Sequence, residues 1–195
     1  MSNTYIGQAC LLLKTLKNTA NNQDIFLMTK RHAKARIINK TGHDIITASI
    51  VHKYSNNYKN MKTLGKIPNG ATSSEYLEVE YNTGVGTLGK DWWLVTWQYD
   101  DEKVYYTDPN NFRGIFDFME KIASSAASSE MSPVLADAMF NSEGTSGFKQ
   151  HTLRSKDQNK FVDFILMPNG KVEIKSVSGT PSKTVYSSKK AKATA

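Results

Sequence analysis

The sequence predicts a mainly β protein of the α+β class: an antiparallel β-sandwich with two helices inserted after its most aromatic hairpin. Short stretches of alternating apolar and polar residues, separated by turn residues, indicate about eight strands. One stretch, residues 81–107, holds all three tryptophans and four of the nine tyrosines. After it, the spacing of apolar residues changes from that of a strand to that of a helix. Strands on both sides of a helical insert are typical of this class.

The aromatic stretch predicts a hairpin at the centre of the sheet. As a strand it places Trp93, Val95 and Trp97 on one face, and we expect all three to be buried because this is the most apolar segment of the chain. Trp92 points to the opposite face. There it is either a stacking surface for a sugar or lipid, or a residue packed under the helical insert. A polar loop at Asp100–Lys103 joins the two strands of the hairpin.

The other strands are predicted from alternation between turns. They are Lys30–Asn39, His43–Tyr54, Glu75–Tyr81, Phe148–Arg154, Phe161–Met167 and Val172–Val177. Leu77, Val79 and Tyr81 share one parity and should point inward. Ser55–Met61 is polar and is predicted to be a loop, whereas Pro168-Asn169-Gly170 predicts the tight turn of a second hairpin.

Two helices are predicted between the hairpins. Asp108 precedes Pro109 and Ser132 precedes Pro133, the order of an N-cap followed by proline at the first helical position, so we expect each to cap a helix. The apolar positions expected to face the sheet are Phe112, Ile115, Phe116, Met119 and Ile122 in the first helix and Val134, Leu135, Ala138 and Met139 in the second.

The 195-residue chain is long enough for one domain with a substantial core. We expect an N-terminal amphipathic segment at 1–30, a β-sandwich domain at 31–180 with its helical insert at 109–142, and a basic disordered tail at 181–195. No apolar run approaches the ~18–20 residues of a membrane-spanning helix. No secretory signal is recognisable, and one cysteine allows no internal disulfide. We therefore expect a cytoplasmic protein, or one released without a signal peptide.

The positive charge is concentrated at the two ends of the chain. The net charge is +7, with +6 in residues 1–40 and +5 in residues 171–195, against −4 in the residues between them. Basic ends favour anionic partners such as acidic lipid, although charged termini also serve solubility alone. An apolar helical pattern that includes Leu12, Leu13 and Leu16 precedes the basic pair Lys30-Arg31. Apolar burial combined with basic charge predicts a membrane-facing segment.

No residue cluster points to catalysis, a cofactor or a metal. The four histidines are scattered, and none forms a ligand pair on a helix or beside a cysteine. Asp100-Asp101-Glu102 lacks the alternating acidic pattern of a calcium loop. Residues 84–89 spell GxGxxG, but an aromatic strand follows where a dinucleotide site needs a helix.

Two family resemblances follow from these residues. Residues 36–157 resemble a fungal family of small proteins, the "Up-regulated in Daf" domain, through the strings RIINKTG, EYNTGVGTLGKDWWLVTW and TDPNNFRGIFDF. That resemblance implies no established activity. More remotely, the order of the Leu12–Leu16 segment, Lys30-Arg31 and ARIINKTG is similar to the actinoporin-like cytolysins and the fungal fruit-body lectins. This second resemblance implies an actinoporin-like β-sandwich that binds lipid or glycan. The chain departs from it by lacking the tyrosine-rich headgroup cluster of true actinoporins.

We therefore predict a non-enzymatic protein that recognises membrane lipid or glycan and resembles the cytolysins. The predicted ligand-binding residues are Trp92, Tyr99 and Tyr105, and the predicted membrane-facing residues are Leu12, Leu13, Leu16, Lys30 and Arg31. The alternative is a structural or self-assembling intracellular protein that makes only protein–protein contacts. A homo-oligomer is compatible with either prediction, and nucleic acid is not an expected partner.

Overall fold

A computed structural model describes residues 28–54, 58–84, 86–87, 89–111, 114–115, 117 and 131–190. The named elements of this part of the chain are ten strands, one α-helix and a short 3-10 helix at Ser155–Asp157. They are β1 (Thr29–Asn39), β2 (Thr47–Tyr54), β3 (Tyr58–Leu64), β4 (Leu77–Thr83), β5 (Asp91–Gln98), β6 (Lys103–Thr107), α1 (Met131–Asn141), β7 (Lys149–Gln150), β8 (Phe161–Met167), β9 (Lys171–Lys175) and β10 (Ser182–Lys190). The fold is mainly β, as the sequence predicts. None of the described helices is long and apolar enough to cross a membrane.

The strands form one nearly closed, barrel-like sheet. Their order is β3-β2-β5-β6-β10-β9-β8-β1-β4, and the short β7 pairs with β5 beside this path. The pairs are antiparallel except β1–β8, which is parallel. The two strands at the ends of the order, β3 and β4, approach each other. This approach brings the two edges of the sheet together.

The core has two parts, one on each face of the aromatic strand β5. Trp93, Val95 and Trp97 are each 0% exposed and lie inside the sheet, which confirms the predicted register. Leu94 faces the other way, into a smaller cluster that α1 covers with Leu135. The alternation predicted for β4 is also confirmed, because its inward residues Leu77, Val79 and Tyr81 are all buried.

Two predictions about the polar stretches are wrong. Ser55–Met61 was expected to be a loop, but β3 begins at Tyr58 and pairs along its whole length with β2. Residues 181–195 were expected to be a disordered tail, but β10 occupies Ser182–Lys190 in the middle of the sheet, and residues 191–195 lie outside the described residues. In both strands, backbone pairing with a neighbour supplies the order that the polar side chains do not indicate.

The two capping predictions also need correction. Pro109 lies in a turn, and Asn111 has a φ of 50°, which a right-handed helix does not accommodate. Asp108 therefore does not cap a helix beginning at Pro109. α1 begins at Met131, so Ser132 lies inside its first turn, where its N–H donates to Gln98 Oε1 at 2.7 Å. Of the predicted stripes, Ile115, Leu135 and Met139 are buried, whereas Phe112, Phe116, Met119 and Ile122 lie outside the described residues.

Candidate functional site

A cleft of about 480 Å³ opens at one end of the sheet. The β1–β2 connection, the β5–β6 loop and the β8–β9 turn surround it, and side chains of β6 and β10 complete it. Its lining residues are Thr41, His43, Asp44, Tyr99, Asp100, Asp101, Tyr105, Pro168, Asn169 and Tyr186. We call it the tyrosine cleft. Its volume lies within the range of sites that bind small molecules.

Aromatic rings form one wall of the tyrosine cleft. The Tyr105 ring centroid lies 4.6 Å from that of Tyr99 and 5.9 Å from that of Tyr186. Trp97 stacks against Tyr105 at 5.8 Å from inside the sheet, and the His43 ring lies 5.4 Å from Tyr99. Because the buried Trp97 supports them, these rings are held in place without a ligand.

Three carboxylates line the same cleft. Asp101 accepts a hydrogen bond from the Tyr105 hydroxyl at 2.7 Å, so this side chain fixes the orientation of the ring. Asp44 accepts one from the Asn69 N–H at 2.9 Å. That hydrogen bond and Lys66 lower the pKa of Asp44. Asp100 is exposed, and no Lys or Arg side chain is among the lining residues.

The hydroxyls of Tyr99 and Tyr105 remain protonated at neutral pH. Burial raises the pKa of Tyr99, and burial together with the Asp101 carboxylate raises the pKa of Tyr105. The Tyr99 residue is only 8% exposed, and its hydroxyl oxygen has no hydrogen-bond partner of good geometry among the described residues. A buried hydroxyl without a well-aligned partner is uncommon, and Thr41 and Trp97 are the polar side chains nearest to this one.

Buried polar groups and tight turns shape the loops around the cleft. Asn39 is buried at the end of β1, and its amide donates to the carbonyls of His43 and Ile67 at 2.8 and 2.9 Å. The β8–β9 turn has φ values of 63° at Asn169 and 76° at Gly170, as the predicted Pro-Asn-Gly turn requires. Gly170 O accepts a hydrogen bond from Tyr186 N at 3.0 Å, which places β10 beside the turn.

The structure brings together two of the three predicted ligand-binding residues. Tyr99 and Tyr105 are adjacent in the cleft, whereas Trp92 lies on the opposite face of β5, half-buried against the cluster under α1. Of the predicted membrane-facing residues, Lys30 pairs with Glu80 at 2.8 Å and Arg31 Nε donates to Thr83 Oγ1 at 2.6 Å. Leu12, Leu13 and Leu16 lie outside the described residues.

Sequence reasoning did not identify the other lining residues. Tyr186 lies in the stretch assigned to a disordered tail. His43 and Asp44 were assigned to the predicted strand His43–Tyr54, whereas β2 begins only at Thr47 and leaves both residues in the connection before it. The Pro-Asn-Gly turn was recognised as a turn, but nothing local indicates that it lies opposite the aromatic hairpin. Only the sheet order shows that these segments meet at one end.

A second polar group lies inside the sheet and has no access to solvent. His52 Nε2 and Asp91 Oδ1 are 2.8 Å apart, and both side chains are fully buried. The other Asp91 oxygen accepts a hydrogen bond from Leu153 N at 2.8 Å. This pair therefore fastens β2, β5 and the segment after β7 together. No three His, Cys, Asp or Glu side chains within the described ranges are arranged to hold a metal ion.

The chain was compared with known families and proteins. A family model described as Up-Regulated in long-lived daf-2 matches residues 29–186, from the start of β1 to the middle of β10. No curated protein matches the chain. The family match covers the whole strand framework of the tyrosine cleft and most of the sequence. The protein therefore belongs to the family Up-Regulated in long-lived daf-2.

Proposed function

We propose that the protein is a non-enzymatic binding protein whose tyrosine cleft recognises a glycan. The main support for this proposal is that the rings of Tyr99, Tyr105 and Tyr186 and three carboxylates surround one open cleft. Sugars present apolar C–H faces that stack on tyrosine rings, and hydroxyls that donate to carboxylates. We also propose a more specific fold, an actinoporin-like β-sandwich related to the fruit-body lectins. The ARIINKTG string supports this relationship.

A glycan suits the tyrosine cleft better than an anionic lipid does. The lining carries acidic side chains and no Lys or Arg, so it repels phosphate and acidic headgroups. Membrane lipid stays the second candidate for a different surface, because residues 1–40 carry a net charge of +6. Lys30 and Arg31 would contribute less to membrane binding than unpaired cations do, since both already have partners.

The proposal is tested by screening the protein on an array of oligosaccharides and measuring the strongest hit by calorimetry. Tyr105→Ala removes the central ring and should weaken binding by about two- to tenfold, the range of stacking energies for an aromatic side chain. Trp92→Ala is the matched control, because it truncates an aromatic residue of the same hairpin outside the cleft. Its binding should equal that of the unmodified protein.

Two further measurements separate the alternatives. Sedimentation with phosphatidylcholine vesicles, with and without phosphatidylserine, detects a membrane function through the basic N-terminal region. Light scattering detects a homo-oligomer. Oligomerisation without binding to any array glycan or vesicle would favour the self-assembling protein over our proposal.

A further inference from the structure

The tyrosine cleft differs in charge from the rest of the protein. The chain carries a net +7, yet three carboxylates and no Lys or Arg line the cleft. The nearest cations are at the rim, with Lys66 Nζ 3.4 Å from Asp44 and Lys103 Nζ 3.7 Å from Asp101. Both lysines are exposed, so solvent screens them. The interior of the cleft therefore attracts positive charge.

The three carboxylates are not equivalent. Asp44 and Asp101 each accept a backbone hydrogen bond and lie near a lysine. Asp100 has neither a hydrogen bond nor an ion pair with any other described residue. Asp100 is therefore the carboxylate whose charge is available to a ligand.

The aromatic wall complements this charge. A cation next to a tyrosine ring is attracted by the negative face of the ring, and Tyr99 and Tyr105 lie 4.6 Å apart beside the carboxylates. A ligand suited to both features has a stackable face and one positive charge, and its hydroxyls can donate to the carboxylates.

We infer that the glycan bound in the tyrosine cleft carries a protonated amine, as a 2-amino-2-deoxy sugar does, with the amine at Asp100 and the ring against Tyr99 and Tyr105. This inference rests on the proposed function and narrows it to one class of saccharide. It distinguishes an amino sugar from its N-acetylated form, which has the same ring but no charge.

The test compares two probes of equal length, a glucosamine tetramer and an N-acetylglucosamine tetramer, by calorimetry at a pH where the free amine is protonated. The glucosamine tetramer should bind roughly two- to fivefold more tightly. This difference should shrink as salt is raised, because the extra interaction is between exposed charges.

Asp100→Asn tests the assigned contact. It should weaken the glucosamine tetramer roughly two- to fivefold and leave the acetylated tetramer unchanged. Glu173→Gln is the matched control, since it removes one negative charge on β9 outside the cleft lining. It should leave both affinities unchanged.

Each contrary result has a distinct meaning. Equal affinity for the two tetramers, with both lost in Tyr105→Ala, would overturn the amine inference and support the proposed glycan function. Binding of neither tetramer, with no array hit, would overturn both. A lysine tetrapeptide that binds as tightly as the glucosamine tetramer would also overturn the inference, because the cleft would then recognise charge alone.

Discussion

At the scale of single residues, Trp97 links the core to the tyrosine cleft. It is fully buried, stacks on Tyr105 and meets the Tyr186 ring edge-on at 4.9 Å. Trp97→Ala should therefore reduce the free energy of unfolding by about 3–5 kcal/mol, the range for large aromatic residues truncated in a core. Urea unfolding followed by circular dichroism measures this loss. Trp92→Ala, at the half-buried neighbouring position, should cost clearly less, and equal losses in the two variants would contradict the assigned register.

At the scale of elements, β10 is the strand on which closure of the sheet depends. Its first four residues pair with β9 and its last five with β6, so it joins the two halves of the sheet. Ending the chain after Pro181 should leave β6 and β9 with free edges and yield an unfolded or aggregated protein. Ending it after Lys190 should leave a folded protein, as solubility and circular dichroism would show. A soluble, folded chain without β10 would refute this role.

At the scale of the whole molecule, buried tyrosines make stability depend on alkaline pH. Burial raises the pKa of Tyr81, Tyr99, Tyr105 and Tyr106, that of Tyr106 to about 12. The folded state thus favours the neutral form. This stability is complete below the unfolded value of about 10 and is lost as pH rises above it, and for Tyr106 the loss is about 1.4 kcal/mol at about pH 11.

Urea unfolding at about pH 8 and about pH 11 checks this dependence. Tyr106→Phe is an informative variant, because the Tyr106 hydroxyl has no hydrogen-bond partner within the described residues. This substitution should leave the free energy of unfolding at the lower pH nearly unchanged. At the higher pH, it should reduce the loss of that free energy by the contribution of one tyrosine. A variant with the same alkaline loss as the unmodified protein would show that Tyr106 ionises equally in both states.

The mainly β class and the strongly alternating strands follow from local sequence. Trp93, Val95 and Trp97 share a face in any strand, and burying so much apolar surface together is strongly favourable. The Pro-Asn-Gly turn was likewise determined locally, because its left-handed φ values demand residues of those types. These features depend on neighbouring residues alone.

Local sequence does not indicate which segments pair with one another, and the fold shows it. β3 and β10 are polar, and pairing with distant partners makes them strands, so their side chains carry no local signal. The tyrosine cleft likewise combines Thr41 with Tyr186, which approach each other because β10 occupies the centre of the sheet order. Alternation records which face of a strand is buried. The choice of neighbour is set by long-range backbone hydrogen bonding and closure of the sheet.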